Sequence, residues 1–282
     1  MTDTLRVFGI AIVATFGAWL FPVSLAATTV IVVVTRHGVF VGSDSKFTKR
    51  AADFSATGQG TTEKIILIQD RIAVVDIGVS DIRYGVNHYN FLTWIRSLIP
   101  NLPADVSVED FVGILDNESY KVFATFDALL KNGTVKQEQP DETCQSFIQY
   151  IIAGYQKGIP ALYEVRYDID WNRKVLVGPT PILLDPEPHA TGAFRVHMLG
   201  IKEAIEDATN EDSYAYKRLK AKLPKTFGAL LSDHDVSNEQ TVNFVRTLIQ
   251  IEESTNPNQV GGEIQVVKIL PSGNAQQVSG KQ

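Results

Sequence analysis

Residues 28–46 read TTVIVVVTRHGVFVGSDSK, and the fold of the chain turns on how this stretch is read. Residues 30–34 are β-branched without interruption, which favours a strand because branched side chains fit a pleated surface and are stiff in a helix. A second apolar run at 39–41 follows Arg36-His37-Gly38, a Gly-assisted tight turn, so the two runs form a hairpin. With Arg36-His37 at the tip, the pairing sets Asp44 across from Thr29 and beside the partner of Thr28. A tip at His37-Gly38 shifts this by about two residues. Either turn brings a carboxylate to the start of the first strand.

Upstream, Arg6 is followed by an uncharged run, 7–27, that carries Ile10, Ile12, Val13, Phe16, Trp19, Leu20 and Phe21, then Pro22 and Ser24-Leu25-Ala26-Ala27. A basic start, an apolar middle, a helix breaker and small residues are the order of a secretory signal. The competing reading is an uncleaved membrane anchor, since the run nearly spans a bilayer. Against it, the strand begins at once after Ala27, with no linker to let a folded domain clear the membrane. No Cys lies near the cleavage site, which excludes a bacterial lipoprotein. The expectation is a signal peptide over 1–27 and an exported protein, periplasmic or extracellular, free of the membrane once cleaved. Cleavage after Ala27 makes Thr28 the N-terminus; cleavage after Ala26 leaves Ala27 in front of it.

The 282 residues are 44% hydrophobic, enough for one substantial core and too apolar for a disordered chain. Lys and Arg number 26 against 32 Asp and Glu, net charge -6, so no nucleic-acid partner is expected. The single Cys144 excludes an internal disulfide and Cys-pair zinc motifs, and reads as a half-buried strand-edge thiol. One domain is expected over 28–270, with a polar, frayed tail at 271–282. Within it, 49–62 reads as a polar surface loop, and 64–68 with 71–75 as a second hairpin about Gln69-Asp70. Helical spacing over 82–98 follows Ser80 as N-cap, and 107–130 repeats the pattern from Ser107 to Asn132-Gly133. Strands are expected at 147–155, 161–168, 174–183 and 263–270, and helices at 193–207, 214–223 and 237–252. Blocks of strands and helices, rather than strict alternation, predict an α+β fold with antiparallel sheets between helix layers.

The chain carries no P-loop, GxSxG, HExxH or GxGxxG motif. His189 and His197 flank a strand-to-helix transition without placed carboxylates, a weak basis for a metal site, and neither metal nor cofactor is called for. The junction at Ala27-Thr28 remains. A threonine freed at the N-terminus carries a hydroxyl to attack and an α-amine, of ordinary pKa about 7.7–8, to take the proton. Such a site needs a cation near the amine, an anion to fix that cation, and an N–H for the oxyanion. Lys64, at the head of an apolar strand, Asp44, and Gly78, where a strand passes toward Ser80, are the candidates. Each also has a plain structural reading: a strand-edge charge, a strand end and a turn glycine.

The segment 28–46 resembles the start of mature proteasome β-subunits and of the related bacterial two-component protease peptidase: Thr-Thr, a short strand, a Gly turn, then an Asp at the same distance. Lys64-Ile65 through Val75-Asp76-Ile77-Gly78-Val79-Ser80-Asp81 is similar to the family's Lys-Ile strand and Gly-x-Gly turn, and Gly261-Gly262 to the pair opening its late strand. The resemblance implies the four-layer αββα sandwich of N-terminal-nucleophile (Ntn) hydrolases. In it Thr28 is nucleophile and base, Lys64 tunes the amine, Asp44 orients Lys64, and the Gly78 N–H receives the oxyanion. It further implies that Thr191, in Thr191-Gly192-Ala193, replaces one supporting hydroxyl, and that Asp76 and Ser80 meet the substrate. At the base of the S1 pocket Asp76 would favour Lys or Arg before the cleaved bond. The departures are Ala27 for the usual Gly, Ala193 for a Ser, no Asp before Gly261-Gly262, and an insertion at 208–235. The expected activity is that of a threonine peptidase on a peptide or protein substrate, with assembly of several copies as a further expectation. The alternatives are an Ntn acylase acting on a small amide and a catalytically silent αββα binding or assembly module.

Overall fold

A computed structural model of the chain describes residues 28–51, 56–78, 81–84, 87–135, 144–184, 194–210, 212–214, 217 and 236–278. The expected signal peptide and almost all of the helix at 214–223 fall outside them. The fold is α+β. Strands β1 (Thr29–Thr35) and β2 (Gly38–Ser43) form the first hairpin, with Arg36-His37 at the tip and Thr35 opposite Gly38. Strands β3 (Lys46–Ala51) and β4 (Ala56–Thr61) come next, then β5 (Ile65–Ile68) and β6 (Ile72–Gly78). Gln69 and Asp70 turn the β5–β6 hairpin with positive φ, as a tight turn requires.

The chain continues through β7 (Asp81–Tyr84), β8 (Asn87–Asn90), α1 (Phe91–Leu98) and α2 (Val108–Lys131). Next come β9 (Cys144–Gln156), β10 (Ile159–Asp170), β11 (Val175–Leu183) and β12 (Arg195–Gly200). The last elements are α3 (Glu203–Thr209), α4 (Asn238–Thr255), β13 (Gln265–Ile269) and β14 (Ala275–Gln277). Sheet I is ordered β12-β1-β2-β13-β14 and sheet II β11-β10-β9-β6-β5, both antiparallel throughout. Sheet III, β4-β3-β7-β8, has one parallel pairing, between β3 and β7.

Alternation along β1 divides the core. Val30, Val32 and Val34 join Val75, Ile77 and Ile151 of sheet II in one apolar cluster. Ile31 and Val33 point the other way, into a cluster with Val245, Leu248 and Ile249 of α4. On the far face of sheet II, Val74, Ile148 and Ile152 pack with Phe111 and Phe126 of α2 and Phe91 of α1. The central strands β1 and β6 are therefore dry on both faces, which is why β1 reads as unbroken apolar residues rather than as an alternating pattern.

Four expected elements are corrected. The helix expected over 82–98 begins only at Phe91. Asn90 caps it by accepting from Thr93 N at 2.8 Å, and Ile82 instead faces Tyr89 across the β7–β8 ladder. Gly85, Asn87 and Asn90 disfavour a helix interior, and Asn suits the cap. The loop expected at 49–62 contributes to β3 and β4, since ladder hydrogen bonds come from the backbone and small polar side chains tolerate them. The helix expected at 193–207 is β12 followed by α3, because the open edge of β1 recruits 195–200 into sheet I. The tail expected to fray supplies β14, paired with β13 after a turn where Gly273 takes φ 83°.

Candidate active site

Thr28 lies at the mouth of sheet I, held on both sides. The Ile201 N–H donates to Thr28 O at 3.0 Å, and Thr29 Oγ1 donates to Ile201 O at 2.8 Å. Gly200, opposite Thr29 in the ladder, has φ 76°, and a Cβ there would overlap the Thr28 carbonyl oxygen. On the other side Thr29 N donates to Asp44 Oδ1 at 3.0 Å, the contact that the Arg36-His37 turn predicts.

Asp44 is wholly buried and its two oxygens accept four hydrogen bonds. Oδ1 takes Thr29 N and, at 3.2 Å, Lys64 Nζ; Oδ2 takes Gly261 N at 3.1 Å and Lys46 N at 3.2 Å. Lys64 is equally buried, with no exposed side-chain surface on either partner of the ion pair. Its ammonium also donates to Thr28 Oγ1 at 2.6 Å. Thr28 Oγ1, Lys64 Nζ and Asp44 Oδ1 thus form one chain of contacts in which a cation touches a hydroxyl and a carboxylate fixes the cation. Burial pushes the Asp44 carboxyl up, opposed by the Lys64 charge and by the N–H donors. Burial pushes the Lys64 ammonium down, opposed first by Asp44 and then by Asp76. Thr28 itself is 2% exposed, so its hydroxyl sits in the same low-dielectric surroundings, where a nearby ammonium stabilises a developing alkoxide more than it would in water.

The ladder that pairs Ile65 with Val75 sets Asp76 at the next position, opposite Lys64. Asp76 is wholly buried and stands opposite Tyr150 of β9, whose hydroxyl is raised well above its ordinary range by burial and by the Asp76 charge. Gly78 ends β6 with φ 102°, and a Cβ there would lie 2.8 Å from Phe147 O. The next described element along the chain is β7, not the expected helix. Ser80 and Thr191, together with His189, lie outside the described residues. His197 is buried on β12, opposite Val32. Among the described residues, no three His, Cys, Asp or Glu side chains converge as a metal ion would need.

Several groups in this site have no signature in the sequence. Backbone N–H groups of Lys46 and Gly261 are invisible in a side-chain pattern. Gln265, whose Oε1 accepts from Lys64 N at 3.0 Å and Ile65 N at 3.4 Å, is one polar residue at the head of an apolar strand. Gly261-Gly262 carried a signal as a glycine pair, though not as a hydrogen-bond donor: both take positive φ, and a Cβ on Gly262 would overlap Ser45 Oγ. No family model matches the chain, and no curated protein matches it.

Proposed function

We propose that the chain is an exported N-terminal-threonine amide hydrolase of the proteasome-like threonine peptidase type, acting through Thr28 once the bond to Ala27 is cut. The observation that carries this reading is the Lys64 ammonium, buried and 2.6 Å from Thr28 Oγ1 while paired with Asp44 at 3.2 Å. Few structural roles call for a buried lysine aimed at a threonine hydroxyl, because burying a charge costs several kcal/mol unless it is well paired. The two large sheets, packed face to face with helices on their outer faces, support assignment to the four-layer αββα sandwich of Ntn hydrolases.

In the reaction, Thr28 Oγ attacks the substrate carbonyl and its proton passes to the α-amine. The tetrahedral oxyanion is received by the Gly78 N–H in the role the resemblance gives it. Collapse breaks the C–N bond, the ammonium returns its proton to the leaving amine, and an ester on Thr28 remains. Water then attacks that ester as the α-amine takes its proton; collapse breaks the C–Oγ bond, the α-ammonium returns the proton to Oγ, and the acid product leaves. Lys64 as a cation keeps the neighbouring amine neutral and stabilises negative charge on Oγ; Asp44 holds Lys64. Thr191 and Ser80 are assigned supporting and substrate-facing roles. Asp76 is assigned to selection of Lys or Arg before the cleaved bond. The substrate is a peptide or protein, and copies of the chain associate.

The test is the intact mass of exported protein, followed by hydrolysis of a peptide amide panel by wild type and Thr28→Ala. A mass beginning at Thr28, with activity lost in Thr28→Ala and reduced toward basic peptides in Asp76→Ala, is expected. A mass beginning at Ala27, or a free Thr28 without hydrolysis of any amide, would return the chain to the silent binding module. Hydrolysis of small amides in place of peptides would make it an acylase.

A further inference from the structure

Gln265 belongs to sheet I but serves sheet II. Its backbone pairs with Ser43, the residue before Asp44. Its side chain, on a residue only 8% exposed, crosses to accept from the successive N–H groups of Lys64 and Ile65. Lys64 immediately precedes β5, the edge strand of sheet II, which among the described residues has a ladder neighbour on one side only. The two members of the ion pair therefore come from different sheets, and Gln265 is joined to the local backbone of each. A lysine side chain has four rotatable bonds, so its head goes where its backbone is anchored and its charge is paired.

We propose that Gln265 is a positioning residue: by tying the Lys64 backbone to the strand beside Asp44, it sets the ammonium within reach of both Thr28 Oγ1 and Asp44. The kinetic part of this inference rests on the Thr28 reading; the placement of Lys64 does not. Misplacing a reacting group by about 1 Å costs on the order of 10²-fold in rate, so loss of the tie acts on kcat more than on substrate binding.

The test compares Gln265→Leu, which removes the acceptor, with Gln265→Glu, which keeps it in the same shape. Readouts are kcat and KM for a peptide amide and the Lys64 titration midpoint, followed by NMR of ¹³Cε-labelled lysine in the mature protein. Gln265→Leu is expected to lower kcat about 10- to 100-fold with KM within about twofold, and to move the Lys64 midpoint, because burial and the Asp44 charge, which set it in opposite directions, both depend on where the ammonium sits. Gln265→Glu is expected to recover most of the lost kcat. Should the Leu variant fail to fold, Gln265→Asn, which withdraws the acceptor by one methylene, replaces it in the comparison. A Leu or Asn variant with wild-type kcat and an unmoved midpoint overturns the proposal, as does a Glu variant no better than the Leu variant. If wild type hydrolyses no amide, the Thr28 reading fails, and the Lys64 midpoint alone decides the role of Gln265.

Discussion

At the scale of single residues, the site is one buried ion pair whose members are both held against their preferred state. Burial lowers the Lys64 pKa and raises that of Asp44. A lowered lysine contributes stability only above its ordinary 10.5, and that contribution is lost as pH falls through the folded value. A raised carboxyl contributes below its ordinary 3.8 and loses it as pH rises through the folded value. Between those limits the charged pair costs stability. If Lys64 must be charged to act, the alkaline limb of kcat/KM lies below 10.5. Asp44→Asn removes the attraction that opposes the lowering, so that limb moves further down and kcat falls about 10²-fold or more. A pH–rate profile of both proteins measures it; an unmoved limb would mean that Lys64 is not the titrating group.

At the scale of elements, the short helix α3 depends on a residue distant in sequence. Its N-cap, Lys202, makes no side-chain capping bond. Instead Glu252, on α4 and wholly buried, accepts from Ala204 N at 3.1 Å and Ile205 N at 3.2 Å, and also from Asn256 Nδ2. A carboxylate on two unpaired N–H groups at a helix start satisfies both and complements the helix dipole. Because α3 follows Ile201, whose N–H and carbonyl hold Thr28 and Thr29, the cap also braces the site. Glu252→Ala is expected to destabilise folding by about 1–3 kcal/mol by stranding these donors, against a few tenths of a kcal/mol for an exposed residue such as Glu239. Urea unfolding of the two variants reads the difference. The expected elements that survive best are those with local signals: the capping Ser107 of α2, and the capping box in which Ser237 and Gln240 exchange bonds at the start of α4. Those that changed from helix to strand, 82–90 and 195–200, were decided by a neighbouring strand edge.

At the scale of the whole molecule, the two sheets meet through side chains that neither hairpin could bury alone. Ile151 of sheet II is wholly buried in the cluster shared with Val30, Val32 and Val34 of sheet I. Ile151→Ala is expected to cost about 2–5 kcal/mol through lost burial and the cavity left behind. The same change loosens the spacing between sheets that brings Lys64 to Thr28, so activity should fall before the fold is lost. Urea midpoints set beside kcat/KM at low denaturant test this; activity that tracks the folded fraction alone would separate the inter-sheet core from the site.

The sequence by itself determined what is local or periodic. The β-branched run at 30–34 and the period of two bring Asp44 to the start of the first strand with the tip at either Arg36-His37 or His37-Gly38, because a hairpin's register is set by its turn; the ladder chose Arg36-His37. The residues to inspect around Thr28 were legible for the same reason, helped by the resemblance of short motifs. Only the tertiary structure decided that Lys64, from another sheet, reaches Thr28 Oγ1, that Gly261 N and Gln265 complete the pair's surroundings, and that 195–200 is a strand along β1 rather than a helix. These depend on backbone donors and on which strand edge is open. Neither is written in side-chain types, and both exist only once the sheets have stacked.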